Sequence, residues 1–198
     1  SGATSEPIDP LRTLTNRSSG KTGRAVARAC YVEGADVTLL HNGGSVPYAD
    51  VRSVETAAEL VEAASDVARE ADALISAAAI ADYRVAEPAE EKIRSGQELS
   101  IDLTPAPKLL DAVRDAHPDL PLVGFKAETT DDEDAMTASA RELLDRVGCA
   151  FVVANDASVM GADTTEVLFV TADAVTRFEG SKAALGAAVA DRLADVLE

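Results

Sequence analysis

The chain has 198 residues and a formal net charge of −17, and 46% of its residues are apolar. This length fits one large domain or one and a half small ones, and the apolar fraction is enough for a core. So acidic a surface repels nucleic acid, and no run approaches the 18 apolar residues of a membrane span. We expect a cytoplasmic protein without a signal peptide and without a nucleic-acid or membrane partner.

Helix-like and strand-like segments alternate along most of the chain. The predicted helices are 19–33, opened by Ser18, Ser19 and Gly20 and closed by Gly34, then 56–70, 108–116, 131–147 and 181–197, the last capped by Ser181. The predicted strands are 35–40, 73–79, 99–103, 121–125 and 151–154, followed by a hairpin of 167–171 and 175–178. Strands separated by long helices imply an α/β fold with a mainly parallel sheet covered on both faces.

Two features depart from this alternation. The chain opens on Ser1-Gly2-Ala3-Thr4, which has the character of a loop that follows a strand. We therefore expect the first strand of the domain, and anything before it, to be missing from this chain. The segment 98–103 alternates apolar and polar residues and follows the charged residues 92–95. We interpret it as a β extension that pairs with its copy in a two-fold dimer.

The acidic residues are spread along helix-like segments rather than gathered in a tail. Such a pattern suits a folded protein in concentrated salt, where screening removes the repulsion between like charges. We therefore predict a halophilic source. The chain has five lysines against thirteen arginines, so a lysine beside a glycine or an apolar run is of more interest than usual.

Cys30 and Cys149 both lie in apolar sequence. We interpret them as reduced core thiols rather than as a disulfide or a nucleophile. No CxxC motif and no cluster of His and Cys indicates a structural zinc site.

The segment from Asn16 to Gly23, NRSSGKTG, is the richest in chemistry. Small hydroxyl residues and glycines at a helix start leave backbone N–H groups able to face an anion, so the segment can cradle a phosphate. The alternative is an ordinary helix cap. The segment is not a Walker A loop, because Thr15 stands where that motif needs glycine. It is not a GxGxxG fingerprint either, which weakens a dehydrogenase interpretation.

Three further segments place polar residues after predicted strands, where ligands of such sheets bind. Asp82 follows a run of alanines and offers a hydrogen-bond acceptor, although aspartate is also a common turn former. Phe125 and Lys126 pair an aromatic ring, which can stack on a base, with a cation that can reach a phosphate. Phe125 can equally belong to the core. Asn155 ends the next strand.

These motifs together resemble those of phosphopantothenoylcysteine synthetases. The opening SGATSEPIDPLR and the following TNRSSGKTG are similar to SGGTREPIDPVR and SNxSSGKMG of that family. The resemblance continues through AAAIADYRVAEPAEEKI, GFKAET and VANDAS and covers nearly the whole chain. It implies a Rossmann-like three-layer αβα fold, a homodimer and, in many members, a flavin-dependent decarboxylase fused upstream. FMN would be needed only with that upstream domain.

The resemblance implies a ligase reaction in coenzyme A biosynthesis. The carboxylate of 4′-phosphopantothenate attacks the α-phosphate of CTP, pyrophosphate leaves, and the amine of L-cysteine then displaces the nucleotide from the acyl-CMP intermediate. Mg²⁺ would accompany the triphosphate; its protein ligands, if any, are not identified by the sequence. Both steps depend on alignment and charge neutralisation rather than on covalent help from the protein.

The resemblance also assigns residues. Asn16 would steady the acyl-nucleotide, and Arg12 would grip the phosphopantothenate of the neighbouring protomer. Lys92 matches the first lysine of the family's KIKK strand, which serves catalysis, nucleotide binding and dimer contact. Ala79 and Asp82 would contact the substrate. The nucleotide-binding positions would be Gly2, Ser18, Gly20, Gly23, Ala78, Asp82, Lys92, Phe125 and Asn155.

The chain departs from the bacterial pattern in its cations. Two lysines of a KLxRKN stretch fall at Leu143 and Val147 here, and we infer that Lys108 and Lys126 take over their triphosphate contacts. The PAPKLL and GFKAET segments that carry these lysines look like archaeal and eukaryotic members. Together with the acidity, they predict a haloarchaeal source. They leave ATP open as the nucleotide, although CTP is favoured.

Two other functions remain open on the sequence alone. One is an NAD(P)-dependent Rossmann oxidoreductase, which lacks both the glycine fingerprint and an obvious Tyr–Lys pair here. The other is a non-catalytic nucleotide-binding subunit, which the presence of Asn16 and Lys92 argues against.

Overall fold

The computed structural model describes residues 1–96, 98–130, 132–156 and 164–198. The helices are α1 (Lys21–Val32), α2 (Ala57–Val67), α3 (Leu109–Ala116), α4 (Glu133–Val147) and α5 (Lys182–Leu197). The strands are β1 (Gly2–Ala3), β2 (Ser5–Asp9), β3 (Arg12–Thr15), β4 (Thr38–Leu40), β5 (Asp50–Arg52), β6 (Leu74–Ser76), β7 (Ala78–Ala79), β8 (Tyr83–Val85), β9 (Leu103–Pro105), β10 (Leu122–Glu128), β11 (Phe151–Asp156), β12 (Thr164–Val170) and β13 (Val175–Ser181).

The central sheet has the strand order β13-β12-β11-β10-β6. The strands β6, β10 and β11 run parallel, and β12 and β13 add the predicted antiparallel hairpin at one edge. Beyond β6, the chain continues into β7, which pairs in parallel with β1. The carboxyl ends of β1, β7, β10 and β11 therefore share one edge of the structure, which is where ligands bind in open α/β sheets.

Helices cover both faces of this sheet, as predicted. On one face, Val26 of α1 and Leu185 of α5 pack against Phe151 and Phe169. On the other face, α2, α3 and α4 pack against the sheet through side chains such as Val113. The strands between these layers are apolar on both sides, as expected for a parallel sheet buried between helices. The structure thus has the predicted Rossmann-like three-layer αβα architecture.

Local capping explains where several helices begin. Thr56 accepts a hydrogen bond from the backbone of Glu59, whose carboxylate reaches back to the cap, so both halves of a capping box are present. Asp132 and Ser181 cap α4 and α5 through their side chains. The predicted cap at Ser181 is therefore confirmed. At α1, the cap residue is Gly20 in the left-handed region, with φ of 68°, and Gly20 has no side chain to form a capping hydrogen bond.

The strand prediction for 99–103 is wrong over most of its length. Leu103 alone lies in a strand, β9, which pairs with β8 and not with the main sheet. Leu99, Ile101 and Leu103 alternate as strand residues do, but their side chains are 49%, 38% and 46% exposed. The alternation therefore marks an apolar surface segment and does not mark a strand paired within this chain.

The sequence analysis also missed the antiparallel hairpin of β2 and β3. Pro7 and Pro10 disfavour a strand assignment, because proline cannot donate a ladder hydrogen bond. Two buried carboxylates support this hairpin. Glu6 accepts a hydrogen bond from the first backbone N–H of α2, at Ala57, and Asp9 accepts from the backbone of its own turn.

No helix in the described part of the chain is long and apolar enough to cross a membrane.

Candidate functional site

A cleft of about 490 Å³ opens at the carboxyl ends of the parallel strands. The start of α1, the end of β7, the start of α3 and the ends of β10 and β11 all contribute to its walls. Most of the predicted site residues meet in this cleft, although they come from widely separated segments. They are Asn16, Ser18, Gly20, Gly23, Ala78, Ala79, Asp82, Lys108, Phe125, Lys126 and Asn155.

The side chain of Asn16 connects two walls of the cleft. Its Nδ2 donates to the carbonyl of Ala79 at 2.6 Å, and its Oδ1 accepts from the backbone N–H of Ser18 at 3.3 Å. Ala79 ends β7, and Ser18 belongs to the loop that enters α1. The amide therefore holds this loop against the strand end with both of its polar atoms. A carboxylate at this position cannot donate to the Ala79 carbonyl.

Glycine allows the entry of α1 to approach β1 closely. A Cβ on Gly20 would lie 3.1 Å from Cα of Gly2, and one on Gly23 would lie 2.2 Å from Oγ of Ser1. Gly2 and Gly20 also have φ values of 85° and 68°, which side chains other than glycine rarely adopt. Gly2 itself is not part of the cleft wall, since it lies beneath the loop. The result is a helix start with its first turn facing the cleft, as an anion site requires.

Positive charge is concentrated in this cleft although the chain carries −17 overall. Four of the five lysines line it: Lys21, Lys108, Lys126 and Lys182. Arg146 of α4 also lines it and forms an ion pair with Asp111. In a chain with about twice as many acids as bases, such a concentration favours a ligand with several negative charges.

Phe125 and Lys126 point to opposite faces of β10. The ring of Phe125 packs against the apolar cluster beneath α1 and α5, and it also lines the cleft, so the core and ligand interpretations are compatible. The ammonium of Lys126 lies 3.5 Å from Oε1 of Glu128. Asn155 on β11 is paired in register with Ala127 and therefore lies on the same face as Phe125.

The structure places Arg12 and Lys92 outside this chain's cleft, but near each other. Arg12 donates through Nε and Nη2 to Asp9, and Nη2 also donates to the carbonyl of Ile93 at 2.6 Å. Asp9 in turn accepts from the backbone N–H of Ile93 at 3.0 Å. Lys92 is the exposed residue just before this contact. The roles assigned to both residues by resemblance stay predictions.

Several residues of the cleft were missed by the sequence analysis. Lys182 was assigned only to the closing helix, and Arg146 only to the end of the predicted helix 131–147. Leu143 and Val147 stand at the positions of the two bacterial lysines. Leu143 lines the cleft, whereas Val147 is buried in the core. The scarcity of lysine in so acidic a chain was the one signal in the sequence that pointed to Lys182.

A buried histidine supports the loop from behind. His41 lies against Gly2 and Gly43, and its Nε2 is 3.4 Å from Nη1 of Arg24. Arg24 also donates to the carbonyl of Ser19 at 3.0 Å. Desolvation by burial lowers the pKa of His41, which favours the neutral ring beside the Arg24 cation.

The fold and the cleft define a Rossmann-like protein with a site suited to phosphorylated ligands. Residues 1–197 match the family described as the DNA/pantothenate metabolism flavoprotein C-terminal domain, and the chain belongs to this family. It is 42% identical over 176 residues to the coenzyme A biosynthesis bifunctional protein CoaBC of Thermococcus kodakarensis. That match covers 87% of this chain and 44% of the relative, so this chain spans less than half of the relative's length.

Solved structures share the fold over the whole chain. The crystal structure of the C-terminal domain of a coenzyme A biosynthesis bifunctional protein CoaBC has a TM-score of 0.82 and 27% sequence identity, and the match covers 99% of this chain and 92% of that one. A Cab2 mutant in complex with phosphopantothenate-cysteine has a TM-score of 0.77 and 18% identity, with coverage of 100% and 87%. The second likeness is one of fold alone.

Proposed function

We propose that this chain acts in coenzyme A biosynthesis as a ligase that joins 4′-phosphopantothenate to L-cysteine at the expense of a nucleoside triphosphate. The single observation that carries the proposal is the cleft in which Asn16 lies among four lysines. Its walls bring together the family motifs around a site for multiply charged anions. The family match and the relatives that act in coenzyme A biosynthesis support the same assignment.

The first step forms an acyl-nucleotide. A carboxylate oxygen of 4′-phosphopantothenate bonds to the α-phosphorus of CTP, the bond from that phosphorus to the bridging oxygen breaks, and pyrophosphate leaves with the electron pair. Two anions must approach each other for this step, so cations that offset their repulsion lower its barrier. Lys108 and Lys126 line the cleft and can supply this charge.

The second step forms the amide. The amine nitrogen of cysteine bonds to the acyl carbon, the bond to the nucleotide oxygen breaks, CMP leaves, and the amine releases a proton. Asn16 serves both steps as a neutral donor, because an amide can hold the acyl-nucleotide without adding charge that opposes its release. Asp82, in the same cleft, is the carboxylate placed to accept hydrogen bonds from substrate hydroxyl or amide groups.

Mg²⁺ would enter with the triphosphate and neutralise part of its charge. The described residues contain no group of three or more His, Cys, Asp or Glu side chains placed to hold a metal ion. The donors in the cleft therefore fit an ion held mainly by phosphate oxygens, with Asp82 as the protein carboxylate that could join them. The general family resemblance favours CTP as the nucleotide, whereas the segments that carry Lys108 and Lys126 leave ATP open, so the assay below includes both.

The enzyme we propose works as a homodimer. Arg12 lies outside its own chain's cleft, and its side chain is 45% exposed. The exposed apolar residues Leu99, Ile101 and Leu103 offer a surface for a second copy. A two-fold dimer through this segment would cover that surface and could carry Arg12 to the partner's substrate.

The decisive assay measures pyrophosphate release with 4′-phosphopantothenate, cysteine and each of the four nucleoside triphosphates, at low and high salt. We expect release to require phosphopantothenate and one preferred nucleotide, and phosphopantothenoylcysteine to appear by mass spectrometry. Parallel assays of NADPH oxidation and of FMN-dependent decarboxylation test the oxidoreductase alternative and a decarboxylase activity. Absence of ligation in every nucleotide and salt condition, with the folded protein present, would refute the proposal.

A matched pair of variants ties the activity to the cleft. Asn16→Asp should slow product formation while nucleotide affinity changes less, and acyl-nucleotide should accumulate by mass spectrometry. Asn42→Asp is the control, because the Asn42 amide also donates to a carbonyl, that of Ala3 at 2.9 Å, but lies outside the cleft wall. Equal effects of the two substitutions would argue against a role for Asn16 in the reaction.

A further inference from the structure

His41 is a buried titratable side chain that the proposed reaction does not use. Only 3% of its surface is exposed, and it lies outside the cleft wall, beneath the loop 16–20 that enters α1. Glycines make room for its ring. An added Cβ would lie 3.6 Å from Cε1 of the ring at Gly20, 3.3 Å from Nδ1 at Gly2 and 2.0 Å from Nε2 at Gly43. The ring therefore fits under the loop because these neighbours carry no side chains.

The contacts of His41 assign the proton of the neutral ring. Its Nε2 lies 3.4 Å from Nη1 of Arg24. A guanidinium has donors only, so Nε2 must accept in this contact. The proton then sits on Nδ1, which lies 3.3 Å from the carbonyl oxygen of Ser1 and can donate to it. Both ring nitrogens have a partner in this tautomer, whereas the other tautomer would place two donors face to face.

Arg24 connects His41 to the loop. Its Nη2 donates to the carbonyl of Ser19 at 3.0 Å. The C=O and N–H groups of a trans peptide point in opposite directions, so this bond turns the N–H of Gly20 towards Ser18, whose Oγ is 3.4 Å away. Ser18 and Gly20 both line the cleft. Glycine adopts either sign of φ readily, so without Arg24 the Ser19–Gly20 peptide is free to rotate.

Two positively charged groups act on the His41 ring, Arg24 from α1 and the amine of Ser1, whose own pKa burial lowers to about 6. Arg52 on β5 accepts from the His41 backbone N–H through its carbonyl, but its side chain pairs with Asp66. Desolvation by burial, followed by the two positive charges, holds the pKa of His41 below its usual value of 6.5, although the Ser1 carbonyl acts in the opposite direction.

We propose that neutral His41 is a positioning residue for the loop 16–20, because it anchors Arg24 and Arg24 fixes the Ser19–Gly20 peptide at the cleft wall. Protonation adds a donor on Nε2 opposite the guanidinium, so two cations then repel each other and the peptide loses its anchor. Binding of an anion at the loop should therefore weaken as His41 gains a proton. That this anion is the nucleotide's polyphosphate rests on the proposed function.

The test is calorimetric titration with inorganic pyrophosphate from about pH 8 downwards, as far as the chain stays folded. His41→Gln can still accept from Arg24 but does not titrate, so the unmodified chain should lose about fivefold or more affinity relative to this variant below pH 6.5. Protonation of the ligand is common to both proteins and cancels in the ratio. His117→Gln, which alters the other histidine, outside the cleft, is the control and should follow the unmodified chain. Acetylation of the Ser1 amine removes the second titrating group and should leave the loss in place.

Nitrogen-15 NMR of the two imidazoles gives a measurement that needs no ligand. His41 should carry its proton on Nδ1, whereas His117 should carry it on Nε2, which lies 3.0 Å from the carbonyl oxygen of Ser65. Arg24→Lys keeps the charge but loses the fork that holds two acceptors, so it should weaken pyrophosphate binding already at about pH 8 and show a shallower pH dependence. This variant also provides the comparison if His41→Gln does not fold.

A proton on Nε2 of His41, or protonation of His41 without loss of affinity, overturns the proposal. Normal binding by Arg24→Lys does so as well. Binding is measured without turnover, so a chain that shows the expected pH dependence but ligates nothing would refute the proposed function and leave the role of His41 standing. A chain that ligates, with equal pH profiles for the unmodified protein and His41→Gln, would refute the role of His41 alone.

Discussion

Asp9 and Arg12 form an ion pair across the turn between β2 and β3, and this pair also holds a distant segment. Nε of Arg12 donates to Oδ2 of Asp9 at 2.9 Å, and the same carboxylate oxygen accepts from the backbone of Ile93. The Asp9 side chain is fully buried, whereas that of Arg12 is 45% exposed. One carboxylate thus fixes both Arg12 and the segment that contains Lys92, the two predicted site residues that the structure places away from this chain's own cleft.

We predict that Asp9→Asn loosens the segment around Ile93 more than the rest of the fold. The amide cannot reproduce all the hydrogen bonds that the carboxylate accepts, because one of its two polar atoms is a donor. Hydrogen exchange should show faster exchange at the Ile93 amide, with little change in the central strands. Unchanged exchange at Ile93 would contradict this role for Asp9.

The same substitution should reveal that the stability contributed by Asp9 depends on pH. The Arg12 guanidinium holds the pKa of Asp9 well below its usual value of 3.8, despite the opposing effect of burial. The stabilisation is therefore fully present above that usual value and is lost only as the pH falls towards the depressed one. The free energies of unfolding of the Asp9→Asn variant and the unmodified protein, measured with urea, should differ least at the most acidic pH. An equal difference at neutral and strongly acidic pH would contradict the assignment.

We predict that Gly186→Ala destabilises the protein, although alanine is the better helix former by about 1 kcal/mol. The new methyl group would meet the backbone of Ala25, which cannot rotate away, so α1 and α5 must separate. The expected net loss is about 1–3 kcal/mol of unfolding free energy, measured by urea denaturation. Ala187→Gly, at the next and exposed position, is the control and should cost about 1 kcal/mol through helix propensity alone. A more stable Gly186→Ala variant would show that the helices are not in close contact.

We predict slow reaction of both thiols in the native protein. Burial raises the pKa of Cys149 to about 11 and also raises the pKa of Cys30. Because the thiolate is the reactive species, a thiol-specific reagent at about pH 8 should label the native chain slowly and the unfolded chain at once. Cys149 is buried and Cys30 half-buried, so Cys30 should react first. Rapid labelling of Cys149 under native conditions would contradict its place in the core.

Sequence reasoning predicted the features that depend on local patterns. The capped helix after Ser181 and the hairpin of β12 and β13 follow from residue periodicity and turn chemistry, and both are present. The antiparallel pairing of β2 and β3 was missed, because it depends on contacts that buried Glu6 and Asp9 make with other segments. Residues 157–163, which contain part of the VANDAS motif, lie outside the described residues.

The sequence predicted only those residues of the candidate site that lie within a recognisable motif. Asn16, Asp82 and Phe125 stand in recognisable segments after strand or loop ends, and the fold brings them to one cleft. Lys182 has no motif around it. Its place in the cleft wall follows from the close packing of α5 on α1, which a sequence pattern does not specify.

We predict that stability rises with salt. With 35 acidic residues against 18 basic ones, repulsion acts between carboxylates within roughly a Debye length, about 10 Å at 0.1 M and 3 Å at 1 M. The melting temperature should therefore increase between dilute buffer and molar KCl, and equimolar NaCl should act alike if screening is the cause. An unchanged melting temperature would remove the inference of a halophilic source.

The last prediction concerns an active site shared between two copies of the chain. Arg12→Ala and Asn16→Ala homodimers should each be nearly inactive. The first lacks the arginine that would contact the substrate in the partner's cleft, and the second lacks the Asn16 amide in its own cleft. In a mixed dimer, one cleft contains Asn16 and receives Arg12 from the partner, so it is intact.

Mixing the two inactive variants should therefore restore up to about half of the original activity per mixed dimer, since one of its two sites is complete. Dilution below the dimer dissociation constant should abolish the restored activity. Leu99→Lys in the apolar segment places a charge where the two copies are proposed to meet, so it should lower both dimer content, measured by sedimentation, and the activity of the mixture. If the chains exchange but no activity returns, Arg12 acts on its own subunit, and the cleft does not depend on a partner.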